Sequence, residues 1–184
     1  MWIRKAPYKI KPPLPEIIRH DQLPPGAIEI ANIVEITEGD LIYFIKNNGF
    51  LSILSVTEPD RKLANGQPYY RCSQDDFPLE FLSWFPSALI EFQKPPAQGG
   101  LHAGAITTSD IEVGGEMLCI QRALGVDQDR GGYIVENNSR CEKDYDPETE
   151  FEPHSICWAS RFLYEGGLLN LITDLGDKYK TGYL

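Results

Sequence analysis

The chain has 184 residues, 42% of them hydrophobic, with 17 Lys and Arg against 27 Asp and Glu for a formal charge of −10. That composition belongs to a chain that buries a core, which excludes a disordered polypeptide, and the length suits one domain. An acidic body repels phosphates, which argues against direct nucleic-acid binding, and no apolar run reaches the roughly 20 residues that a membrane helix needs.

The first stretch is of opposite sign. Residues 1–20 hold Arg4, Lys5, Lys9, Lys11 and Arg19 against Glu16 alone. Met1 to Pro15 alternates Lys, Arg and Pro without the apolar core of a signal peptide, so a cytoplasmic location is expected. Pro7, Pro12, Pro13, Pro15, Pro24 and Pro25 forbid a long helix, and residues 1–26 read as a proline-rich basic arm running extended, with a helical turn over Glu16–His20. Pro12-Pro13-Leu14-Pro15 has the minimal PxxP form, although short proline clusters more often stiffen a terminus.

From Ala27 the pattern becomes that of strands, and residues 27–184 read as one α+β domain. Leu41–Lys46 and Phe50–Val56 are apolar runs separated by Asn47-Asn48-Gly49, residues that tolerate positive φ, so 41–56 reads as a hairpin. A loop between Glu58 and Pro68 precedes a short strand at Tyr69–Cys72. Asp75-Asp76-Phe77-Pro78 carries the acidic cap and early proline of a helix start, with Pro86 ending that helix and Ala88–Gln93 forming a strand. Lys94-Pro95-Pro96 and Gly99-Gly100 mark an internal loop over 94–104.

Further on, Ala105–Thr108 reads as a strand, and Glu116–Gln121 with Gly132–Glu136 as a second hairpin. After Pro153 a helical region opens with Ser155 as cap, and Leu168, Leu171, Ile172 and Leu175 recur at helical spacing up to Gly176, a suitable stop. The expected architecture is a mainly antiparallel sheet built from hairpins, with a short central helix and a C-terminal helical region packed on it.

Catalytic signatures are sparse. The glycine doublets sit where turns belong, and no P-loop, GxSxG or HExxH occurs. Four cysteines without a close pair fit reduced thiols, and a Cys–His hydrolase built from one of them with His20, His102 or His154 is an alternative without a local motif. His154 and Cys157 would share one helical face, but with only Cys141 near they fall short of a zinc site. Asp127-Gln128-Asp129-Arg130-Gly131-Gly132 begins like a calcium loop, then lacks its oxygen ligand at Gly131 and its bidentate Glu at Asn138. Asn137-Asn138-Ser139 fits a glycosylation triplet, which has meaning only in a secreted chain. No metal, cofactor or catalytic residue is assigned.

The clearest feature is the stretch 142–152, where Glu142, Asp144, Asp146, Glu148, Glu150 and Glu152 occupy every even position. In an extended chain these six carboxylates would line one face about 6.6 Å apart, a ladder of about 33 Å, with Tyr145 and Phe151 turned the other way. Such a row repeats the charge spacing of a nucleic-acid backbone and would attract a basic groove, such as that of a nuclease or another toxin. A glycosidase pairing of these acids is disfavoured, because exposed like charges are solvated and none is made less acidic by burial. The expectation is therefore a non-enzymatic binding or inhibitor protein that meets a basic partner protein, as bacterial immunity proteins do, by analogy of size and charge only. The alternatives are a small hydrolase with a Cys–His or carboxylate site, and a structural subunit docked through the proline-rich arm.

Overall fold

The structure, a computed structural model, describes residues 4–57, 62, 64–67, 69–102 and 104–184. Its architecture is α+β: two four-stranded antiparallel sheets and three α-helices among the described residues. Contacts divide the chain into two compact units, Leu14–Phe77 and the combination of Met1–Pro13 with Pro78–Leu184, so the Pro- and Gly-rich stretch after Lys94 lies inside the larger unit. Met1–Ile3 of the arm, Glu58–Arg61, Leu63 and Pro68 of the loop expected over 58–68, and Ala103 of the loop expected over 94–104 lie outside the described residues.

The smaller unit is the sheet β1 (Ala27–Val34), β2 (Leu41–Asn47), β3 (Phe50–Thr57) and β4 (Arg71–Pro78), in that order. The hairpin at 41–56 forms as its sequence implies: Asn47 pairs with Phe50 across a two-residue turn in which Asn48 (φ 50°) and Gly49 (φ 85°) take the left-handed conformation. Ile17, Tyr43, Ile45, Leu54 and Val56 form its core. The turn expected over Glu16–His20 is not helical. Ile17 is 2% exposed and its backbone N–H donates to Gln74 Oε1, so burial of one side chain fixes this segment, which bends at Ile18 and turns from Arg19 to Gln22.

The expected helix start at Asp75–Pro78 is instead the end of β4. Asp76 is buried at 3% exposure and accepts hydrogen bonds from Ser52 Oγ at 2.5 Å and Gln74 Nε2 at 2.9 Å, so its carboxylate serves a polar network in the sheet and not a helix terminus.

The larger unit holds the second sheet, β5 (Ile111–Val113), β6 (Glu116–Ala123), β7 (Gly132–Cys141) and β8 (Pro153–Ala159), with α1 (Phe81–Gln93), α2 (Ser160–Tyr164) and α3 (Leu168–Lys180). The hairpin expected from Glu116 to Glu136 is present and longer. The strand expected at Ala105–Thr108 is reduced to a bridge between Thr107 and Gln121, and β5 closes on β6 through Gly114 and Gly115, both at positive φ.

Three expectations are overturned here. Ala88–Gln93 is not a strand, because Phe81, Leu82, Phe85, Ala88 and Leu89 form one continuous buried helical face that carries α1 through Pro86. Pro153–Ala159 is a strand and not a helix, with Pro153, Ile156 and Trp158 buried and all seven residues paired with β7. Gly176 does not stop α3 but lies within it, where a Cβ would stand 2.6 Å from the Leu82 carbonyl oxygen of α1. That carbonyl is the one an ordinary residue at position 86 would have bonded. Proline has no N–H, so Pro86 leaves it facing the bare backbone of α3.

Candidate functional site

The acidic stretch joins β7 to β8, and the end of β7 sets its base. The β7–β8 register shifts between Asn137 and Cys141, a bulge that breaks side-chain alternation. Asn137, Asn138, Ser139 and Arg140 are in consequence all buried. Arg140 makes a two-pronged ion pair with Glu116, at 2.6 Å from Nη2 and 3.0 Å from Nε, with side-chain exposures of 3% and 1%. Asn137 Nδ2 donates to the same carboxylate at 2.5 Å, and Met117 N–H donates to Ser139 Oγ, so side chains finish the β6–β7 pairing where the backbone ladder ends. A buried Asn137 is no glycosylation acceptor.

Above this base, 142–152 is not an extended ladder. It folds into turns, with Tyr145 N–H donating to the Glu142 carbonyl, Thr149 N–H and Glu150 N–H to the Asp146 carbonyl, and Glu142 N–H closing the loop on Glu152 O at 2.8 Å. Pro147, which restricts the backbone before it, and Asp146, which accepts from its own loop, favour the compact form. Asp146 accepts from Glu148 N–H and Thr149 Oγ1, both at 3.0 Å, and these bonds, the backbone one first, hold its carboxyl below the usual range. The row of about 33 Å is thereby replaced by a clustered acidic knob. Asp144, Asp146, Glu148, Glu150 and Glu152 are exposed and Glu142 half-buried. The two aromatics part company: Phe151 is 1% exposed and anchors the knob, whereas Tyr145 is 44% exposed.

The knob already meets a basic segment, the chain's own arm. Phe151 N–H donates to Arg4 O and Ala6 N–H to Pro147 O, both at 2.8 Å, with Arg4 and Glu150 forming a parallel bridge. The Arg4 guanidinium lies over the Phe151 ring and 3.8 Å from Glu152, and Lys5 lies 3.8 Å from Glu148. Further along, Lys11 N–H donates to Ser139 O and Arg140 Nη1 donates to Pro12 O, so the buried ion pair also secures the arm. The two surface pairs are long and well exposed, each worth at most about 1 kcal/mol. Backbone bonds and the Phe151 anchor therefore position the arm, while its cations offset part of the knob's charge.

None of the four cysteines forms a disulfide. Burial first, then Glu136 and Asp110, push the Cys119 thiol up to about 12, and burial also raises Cys72, which donates to Ile17 O. Those thiols stay protonated and unreactive. His154 and Cys157 share a strand at an odd spacing, which sets them on opposite faces of β8 and removes the shared helical face expected of them. His20 stacks on Tyr43 at 4.6 Å between ring centroids, with Nδ1 3.1 Å from Tyr70 Oη. The loop that begins like a calcium site has Asp127, Gln128 and Asp129 at positive φ and ties the Asp127 carboxylate to Arg161 at 3.1 Å, so its first ligand is already engaged.

Sequence reasoning located the acids but not the arm's place on them. The available signal was electrostatic, a basic terminus and one concentrated acidic loop in the same chain. Comparison with protein-family models, with curated proteins and with solved structures finds no match.

Proposed function

We propose that the protein is a non-enzymatic binding module whose acidic β7–β8 knob receives a basic, extended segment of a partner protein. One observation carries this reading: residues 4–6, extended and bearing two cations, lie on the knob through main-chain hydrogen bonds with their charges beside Glu148 and Glu152. A partner segment of the same character would use the same main-chain donors and acceptors, with Asp144 and Glu150 adding charge that Arg4 and Lys5 do not meet in ion pairs. Electrostatic attraction would speed encounter, and sequestering that basic segment would make this an inhibitor of the immunity-protein kind. A cytoplasmic location belongs to the same proposal and is consistent with four cysteines outside disulfides. Among the described residues, no helix is long and apolar enough to cross a membrane.

The test is capture of partners from the native source by the full chain and by a variant carrying Asp144→Lys, Glu148→Lys and Glu150→Lys. Asp146 is retained because it holds the turn. The reading expects a basic protein captured at low salt, released by high salt and lost with the variant. Equal capture by both forms removes the knob as the recognition face.

A further inference from the structure

A second site is independent of the knob. The end of α1, the connection after it and the end of β6 enclose an open cleft of about 420 Å³, in the size range of small-molecule sites. Its walls are largely apolar, among them Phe92, Leu101, Ile106 and Leu124, and its polar side chains are Lys94, His102 and Arg122. In a chain of net charge −10, a concavity whose described lining has cations and no carboxylate is a local reversal of sign.

Arg122 is the fixed element. Its Nε donates to Ala105 O at 3.2 Å and its Nη2 to Phe92 O at 3.1 Å, while the guanidinium lies 4.6 Å from the centroid of the Phe92 ring. Both acceptors are neutral carbonyls, which orient the charge without cancelling it. Phe92 is braced in turn by Tyr133, with ring centroids 5.5 Å apart. Lys94 is tethered to Glu91 by an exposed ion pair at 2.7 Å, a contact weak enough in water to yield to a ligand. Ile106 and Leu124 are 57% and 67% exposed, large apolar side chains left in water at the cleft. A preoriented cation beside exposed apolar walls is complementary to an amphiphile of the opposite sign.

We infer that this cleft binds a small organic anion, with its carboxylate or phosphate at Arg122 and Lys94 and an unbranched or flat apolar body against Phe92, Ile106 and Leu124. A free metabolite and a detached lipid share this chemistry, an anionic head on an apolar body, and single-chain probes separate it from attachment to a bilayer.

The experiment is calorimetric titration of the full-length protein with decanoate, with acetate and decanol as controls that lack the body or the charge, and with phosphatidylglycerol vesicles as a further arm. Saturable one-to-one binding of decanoate with a Kd of about 0.1 mM is expected, in line with the efficiency of ligands of this size. Acetate and decanol should each bind at least about tenfold more weakly, because each lacks one of the two contacts. Leu124→Asp and Lys94→Glu, both at surface positions, should each weaken decanoate about tenfold, whereas Arg122→Gln should abolish it at the cost of stability. Amide shifts on titration should centre on 92–106 and 122–124. The inference is overturned if decanoate fails to saturate, if decanol binds as well as decanoate, if neither surface variant changes the affinity, or if vesicles bind while monomeric decanoate does not.

Discussion

Glu116→Gln tests how the knob is held. The change keeps size and removes one charge, leaving Arg140 charged at 3% side-chain exposure opposite a neutral amide. Breaking one side of a buried pair costs about 3–5 kcal/mol, because the remaining charge has lost its water and its counter-charge. Replacing both partners, as in Glu116→Leu with Arg140→Met, removes both desolvation penalties and is expected to cost far less. It still gives up the bonds from Asn137 and to Pro12 O. Urea denaturation followed by tryptophan fluorescence gives the unfolding free energies of the parent, the single and the double variant for direct comparison. The single change should lower the midpoint strongly and the double change weakly. If the single change costs under about 1 kcal/mol, the ion pair is open to water and is not the base of the knob. Amide exchange adds a local reading, since residues 4–13 should lose protection in Arg140→Met even where the sheet retains it.

Other outcomes follow from the same geometry. Gly176→Ala gains about 1 kcal/mol of helix propensity, but its new methyl would stand 2.6 Å from Leu82 O. With backbone as the obstacle, we expect net destabilisation of about 1–2 kcal/mol in thermal unfolding. Asp146 has a folded pKa depressed by its loop bonds, so its contribution is present above the usual Asp range and is lost as pH falls through the folded value. Carbon-detected NMR should find its midpoint below the usual Asp value of about 3.9, with amide protection of Glu148 and Thr149 lost only as that lower midpoint is passed. Exposed Cys157 should react with a thiol reagent at pH 8 before any other cysteine, and Cys119, its thiol pushed up to about 12, only on unfolding.

What could be read from sequence was local. Asn48-Gly49 set the first hairpin because left-handed φ is a property of those residues themselves, and Leu168 to Leu175 marked α3 because its period is written in adjacent turns. Errors arose where a distant contact outvoted a local signal. Asp76 resembles a cap until Ser52 and Gln74 claim its carboxylate from elsewhere in the sheet. Pro86 resembles a stop, yet the buried face from Phe81 to Leu89 carries the helix past it, and Gly176 resembles a terminator while serving as a point of close approach. The acidic alternation at 142–152 was visible, but period-two spacing alone does not make a strand. Asp146 and Pro147 gave the turn, and nothing near them in sequence foretold that residues 4–6 would dock there. Tyr145 and Phe151 together were the hint of an anchor, and only Phe151 is buried.

Recognition of an extended basic segment by the knob is tested most directly with a fluorescent peptide copying Arg4–Pro13. It would be titrated with full-length Arg4→Ala/Lys5→Ala protein and with the same protein carrying Asp144→Lys, Glu148→Lys and Glu150→Lys. Anisotropy should rise to saturation with the first, weaken with added salt, and require at least about tenfold more of the second. Equal titration curves for the two proteins would contradict the account.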